Sequence, residues 1–244
     1  MTVVKGREAL ADELERWFVG GKTLGINVQK DPVWEADSRV VVKPYSSIDE
    51  FNQTLLSEEL GAKVHLTVAL VEESIDQLVA FTNLRGKSCF NVDYHELDQL
   101  KTIQLVRKML ETLASLHHGR DDWVLTHGDA HPRNFVIPGF LTKSPVIDES
   151  LSVVLVDLES SKKFCPKEFA LGGNVSPLRD LLRLLSELQR TSGLLPSTLM
   201  GIVEEAYLPN ASDSLRDLGI LDKLRATSEV RSPKLSACTA WELD

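Results

Sequence analysis

One long amphipathic segment constrains this chain more than anything else in it. Over residues 94–117, Leu97, Leu100, Ile103, Val106, Met109, Leu110, Leu113 and Leu116 recur at helical spacing. The pattern predicts a single helix with a broad apolar stripe that must be buried against something. Upstream, the chain reads mainly as strands: Leu24–Val28, Arg39–Lys43 closed by Pro44, His65–Val71 and Gln77–Phe81. Two helices interrupt them, at residues 8–18 and 48–60, the second capped by Ser47 with Glu50 completing a capping box and stopped by Gly61. Downstream, two short strands at 134–137 and 153–156 precede further helices. The first of these is capped by Ser176 with Pro177 at its opening position, and others follow at 197–207 and 213–225. The order implies an α+β protein with a small β-rich part over residues 1–85 and a mostly helical part over residues 86–244. A cleft between two such parts is a common place for a small-molecule site.

Composition excludes several classes. The chain has 244 residues, with 27 Lys and Arg against 36 Asp and Glu, a formal charge of −9. That balance argues against nucleic acid as a partner, since phosphate backbones are met by clustered cations. No apolar run approaches the ~20 residues that span a bilayer, so no membrane partner is expected. The opening residues lack the apolar core of a secretory signal. Cys89, Cys165 and Cys238 are odd in number and far apart, which fits a reducing, cytoplasmic setting.

Chemistry concentrates in one polar run between apolar segments, Thr126-His127-Gly128-Asp129-Ala130-His131-Pro132-Arg133-Asn134. A second acidic spot ends the next strand, Val156-Asp157-Leu158-Glu159. Polar groups where strands give way to loops are well placed to react. A carboxylate on a loop can orient a hydroxyl and take its proton, a role for Asp129. An amide oxygen and a second carboxylate are hard ligands suited to Mg²⁺, roles for Asn134 and Asp157. The five-residue step from Asp129 to Asn134 lets one tight loop present both groups to one point.

His127-Gly128-Asp129 followed by Asn134, then Val156-Asp157-Leu158-Glu159, resembles the catalytic loop and metal motif of the aminoglycoside phosphotransferase and choline kinase group. The resemblance covers residues 95–190 by motif, and residues 20–90 by layout alone. It implies a two-lobed, protein-kinase-like fold. It implies an ATP- or GTP-dependent, Mg²⁺-requiring kinase that phosphorylates a hydroxyl of a small-molecule acceptor. Asp180, in Pro177-Leu178-Arg179-Asp180, would brace the catalytic loop, and His127 would have a structural role. Lys43 would hold the nucleotide phosphates from its strand, paired with a glutamate on the next helix. Helical periodicity leaves Glu58 and Glu59 both open, and Glu59 is the expected partner. Acidic residues at Glu159, Glu168 and Asp180 would suit a cationic acceptor.

The sequence also departs from that family. It has no glycine-rich loop of the G-x-G-x-x-G kind, and only 54 residues follow residue 190. The resemblance therefore leaves two alternatives within the fold: an atypical protein Ser/Thr kinase, and a catalytically inactive binding module. A third reading is a Zn²⁺ hydrolase that uses His127, Asp129 and His131 as alternating ligands on an extended strand.

Overall fold

The computed structural model describes residues 2–9, 12, 34–35, 40–45, 48–73, 76–82, 86–120, 122–138, 146–165, 176–217 and 219–231. The predicted helix at 8–18 and the strand at 24–28 fall largely or wholly outside these, as does the C-terminal segment with Trp241.

A five-stranded antiparallel sheet occupies the first part of the chain, in the order β1-β4-β5-β3-β2. It comprises β1 (Thr2–Val3), β2 (Trp34–Glu35), β3 (Val40–Tyr45), β4 (Leu66–Glu73) and β5 (Asp76–Thr82). Pro44 does not close β3 as its sequence suggests. The strand runs through it, with Pro44 opposite Leu78 and Lys43 opposite Val79 of β5. Proline lacks the ladder N–H; among the described residues β2 pairs with Val41 and Val42 of β3. Helix α1 (Ile48–Glu59) follows β3, and Gly61 ends its turn at φ +78°, where a side chain would be strained.

The rest of the chain is mostly helical around two small sheets. One is β6-β8-β9 (Gly86–Ser88, Phe135–Pro138, Val154–Leu155) and the other β7-β10 (Val124–Thr126, Lys162–Phe164). Helix α2 (Gln99–Leu116) begins five residues later than the apolar periodicity predicts. Asp93 caps a separate 3-10 turn at Tyr94–Glu96, and Asp98 caps α2 by accepting from the Lys101 N–H at 2.8 Å. Leu100, read as part of the stripe, is 79% exposed in the first turn. From Leu105 onward the stripe is buried, with Val106, Met109, Leu110 and Leu113 inaccessible to solvent. Helix α3 (Pro177–Ser192) buries Leu181, Leu184, Leu185 and Leu188 and turns Arg179, Arg183 and Arg190 to solvent. The predicted helix at 197–207 is α4 (Pro196–Ile202) continued by a π-helical turn, Val203–Tyr207. The predicted 213–225 helix is two, α5 (Asp213–Asp217) and α6 (Ile220–Arg231), parted at Gly219 with φ +64°. No helix among the described residues is long and apolar enough to cross a membrane.

Leu155 joins the two parts of the chain. Its N–H donates to the Lys63 carbonyl at 2.9 Å, and its carbonyl accepts from the His65 N–H at 3.1 Å. Helix α1 also packs on the 3-10 turn Leu158–Ser160. The stretch around Asp157 is therefore held from both sides.

Candidate active site

The polar run leaves β7, loops through Asp129, makes one 3-10 turn at Pro132–Asn134 and enters β8. Gly128 makes this path possible. Its φ is +81°, and a Cβ there would lie 2.4 Å from the Ser160 carbonyl oxygen. Only glycine lets the loop lie backbone against backbone on the segment that follows Asp157. The Val156 N–H donates to the Asn134 carbonyl at 3.0 Å and sets Asp157 beside Asn134. Asp129 and Asn134 thus share one tight loop, and the backbone bond of Val156 brings the chain at Asp157 alongside it.

Each is held in a particular way. The Asn134 amide is buried, and its Nδ2 donates to the Asp129 carbonyl at 2.9 Å and lies 3.4 Å from the Asp129 carboxylate. Because the amide is planar, its Oδ1 faces the other way, where a cation would meet it. Asp157 has φ 66° and ψ 61°, the one non-glycine residue among those described with positive φ. Such a conformation costs on the order of 1 kcal/mol and persists where surroundings impose it, commonly at functional sites. These two hard oxygen donors fit Mg²⁺ and would hold it; when bound it would neutralise phosphate charge.

Asp129 is about one-third exposed. Its Oδ1 pairs with the Arg183 guanidinium of α3 at 2.5 Å, and its Oδ2 lies 3.2 Å from His131 Nε2. His131 Nδ1 accepts from the Arg133 N–H at 3.1 Å, so its proton sits on Nε2 and points at Asp129. The carboxylate is fixed in direction yet keeps lone pairs for a further donor.

Asp180, only 2% exposed, takes the bracing position. It accepts from the His127 N–H at 2.6 Å and the Gly128 N–H at 2.9 Å, and it meets His117 Nε2 at 3.1 Å. It is committed inward and cannot greet a cationic acceptor, which removes one of the three acidic residues on which that expectation rested; Glu168 lies outside the described residues. Glu159 is exposed beside Asp157, and so are Arg183, which pairs with Asp129, and Arg133, whose guanidinium stacks 4.5 Å from the Phe90 ring.

His127 is buried, with Nε2 donating to the Val156 carbonyl at 3.0 Å and Nδ1 accepting from the Asp129 N–H at 3.3 Å. Both nitrogens are spent on backbone, so His127 is no metal ligand. Among the described residues no group of three or more His, Cys, Asp and Glu side chains is placed to hold a metal. The Zn²⁺ reading loses its alternating ligands. Burial holds the His127 imidazole below its ordinary value, against the opposing pull of Asp180. The sign of the consequence follows: the unfolded chain takes up this proton as pH falls through ~6.5 and the folded one resists. Stability from this residue is present above ~6.5 and lost as pH falls through the folded value. A urea midpoint that drops between pH 7.5 and 5.5, by less in His127→Gln, is the expected result.

Lys43 and its partner are less defined. Lys43 sits in the third-from-last pairing of β3 with β5, and its side chain lies outside the description. Glu59 is exposed at the end of α1. Glu58 is half-buried, pairs with Arg7 at 2.8 Å and accepts from the Thr67 N–H at 2.7 Å; Arg7 also donates to the Thr67 carbonyl. Sequence reading missed Arg7, a contact across 51 positions with no local signal. It also missed Arg183, which Asp180 could have flagged, since residues three apart share a helix face.

A scan against protein-family models matches none, and a search of curated proteins finds no match. Among solved structures the chain is similar to "WaaP in complex with acyl carrier protein", with a TM-score of 0.56 and 17% identity, covering 94% of this chain and 99% of that one. It is also similar to an aminoglycoside-3'-phosphotransferase of type VIII, with a TM-score of 0.48 and 12% identity, covering 76% and 85%. At such identities the likeness is one of fold, and the fold is the protein-kinase-like one, mixed helix and sheet.

Proposed function

We propose that this chain is a Mg²⁺-dependent phosphotransferase that moves the γ-phosphate of ATP, or GTP, to a hydroxyl of a small-molecule acceptor. The observation that supports the reading is the tight loop that carries Asp129 and Asn134, held by Gly128 and Asp180 and joined by backbone to the residue before Asp157. In this reading residues 1–85 form a nucleotide-covering lobe and residues 86–244 the lobe that holds catalytic loop and metal. Lys43 anchors the nucleotide phosphates, with Glu59 as its proposed partner.

Asn134 and Asp157 would hold the metal, which would neutralise charge on the phosphates. Asp129 orients the acceptor hydroxyl and receives its proton as the oxygen–phosphorus bond forms. The bond from the γ-phosphorus to the bridging oxygen breaks, and ADP leaves. Little covalent chemistry is asked of the protein; positioning and charge neutralisation supply the rate. Arg183, beside Asp129, puts a fixed cation near the transferring group. The exposed Arg133, one residue before Asn134, would suit an acceptor that bears an anionic group of its own.

The reading is tested by ADP release from Mg·ATP in the presence of paired acceptors, glycerol against glycerol 3-phosphate and ribose against ribose 5-phosphate, with a Ser/Thr peptide mixture alongside. Acceptor-dependent ADP release with a small alcohol is the expected result. Stimulation by the peptides alone would make it a protein kinase, and Mg·ATP binding with no transfer to any acceptor or to water would make it a binding module.

A further inference from the structure

The catalytic loop is braced from further away than Asp180. His117 closes helix α2 and is wholly buried. Its Nε2 meets Asp180 at 3.1 Å, and its Nδ1 lies 2.6 Å from the Tyr207 hydroxyl. The two rings meet edge to face at 5.7 Å. Tyr207 is itself fully buried and ends the π-helical turn Val203–Tyr207. Such turns are rare, cost hydrogen-bond geometry and recur at functional sites. Here the turn is pinned on its outer face, with Glu205 paired to Arg107 of α2 and Glu204 to Arg225 of α6. Its widened step delivers one hydroxyl to one imidazole nitrogen.

The consequence is a choice of tautomer. A neutral imidazole has one N–H and one lone pair. Asp180 offers only an acceptor, and Tyr207, whose hydroxyl burial and the nearby Asp180 charge push well above its ordinary value, remains a donor. In the neutral ring Tyr207 thus fills the Nδ1 lone pair and leaves the single proton on Nε2, aimed at Asp180.

We propose that Tyr207 is a positioning residue for the phosphotransfer site, acting through His117 and Asp180 to fix the His127–Gly128 backbone and so the direction of Asp129. The proposal rests on the phosphotransferase reading for its effect on rate, but the network itself is testable without activity. In Tyr207→Phe, the ring stays and the hydroxyl goes. Amide hydrogen exchange at His127 and Gly128 is expected to quicken tenfold or more while the Leu105–Leu113 amides of α2 hold. Turnover of Mg·ATP, with water or an acceptor, should fall about tenfold in kcat with KM for Mg·ATP within twofold. Adding the change to His117→Gln should bring no further loss, since the chain is already cut. Loop exchange and kcat both within twofold of the wild type would overturn the proposal. So would a fall in KM affinity matching that in kcat, which marks general loosening. Wild-type protein with no Mg·ATP turnover would indict the phosphotransferase reading, and the exchange result would still decide the network. Should Tyr207→Phe fail to fold, imidazole ¹⁵N spectra of the wild type decide it: a His117 proton on Nε2 with Nδ1 bare supports the proposal, and a proton on Nδ1, alone or together with one on Nε2, overturns it.

Discussion

Asp129→Asn is expected to slow phosphoryl transfer by about 10²–10⁴-fold, the range a positioned general base supplies, while Mg·ATP still binds. The substitution is nearly isosteric, and Asn134 keeps its bond to the backbone carbonyl of residue 129 at 2.9 Å. What is lost is the proton acceptor and the pairing with Arg183, whose side chain is 46% exposed. A half-exposed ion pair of this kind contributes at most about 1 kcal/mol, so the melting temperature should move by only a few degrees. ADP release and Mg·ATP-induced thermal stabilisation, measured side by side, separate the two effects. Unchanged ADP release would mean that Asp129 is no base.

Asp180→Ala is expected to cost far more stability. The carboxylate takes hydrogen bonds from two backbone N–H groups, of His127 and Gly128, and meets the His117 ring in a space closed to water. Truncation leaves two buried donors and the half-buried Gly128 N–H without an acceptor. At ~1–3 kcal/mol for each unsatisfied group, a net loss of about 3–5 kcal/mol follows, comparable to breaking a buried ion pair. Asp180→Asn should fall between, because its amide keeps one oxygen but sets an N–H against another N–H. The check is the urea midpoint at fixed m-value. A loss under ~1 kcal/mol, the size of an ordinary substitution, would show that the loop is held by something else.

Much of the site was legible because its chemistry is local. Gly128, Asp129 and Asn134 sit within seven residues, and the short-range pattern that names them also builds the loop. Ser176 and Pro177 marked the start of α3 for the same reason: capping is decided within one turn. Boundaries set by competition were less legible. The apolar period runs back to Leu97, but Asp93 caps only a 3-10 turn and Asp98 caps α2, which starts there and leaves Leu100 in solvent. Pro44 stays in β3 opposite Leu78 of β5, a pairing set by a neighbouring strand rather than by the local sequence. The hidden part is long-range. Arg7 reaches Glu58, His117 reaches Asp180, and a π turn carries Tyr207 to His117, and none of these has a sequence period. Asp157 shows the two kinds together: its place after an apolar strand is plain in sequence, but its left-handed backbone is imposed by the loop packed against it.

The central claim is a metal-dependent nucleotide site at Asn134 and Asp157, and thermal shift with Mg·ATP tests it most directly. At about 100 times its Kd a ligand adds ~2.7 kcal/mol of stability, a rise of several degrees. The expected result is a rise with Mg·ATP or Mg·GTP that disappears when EDTA removes the metal and is absent in Asp157→Ala. No rise with either nucleotide, or an equal rise in Asp157→Ala, would contradict it.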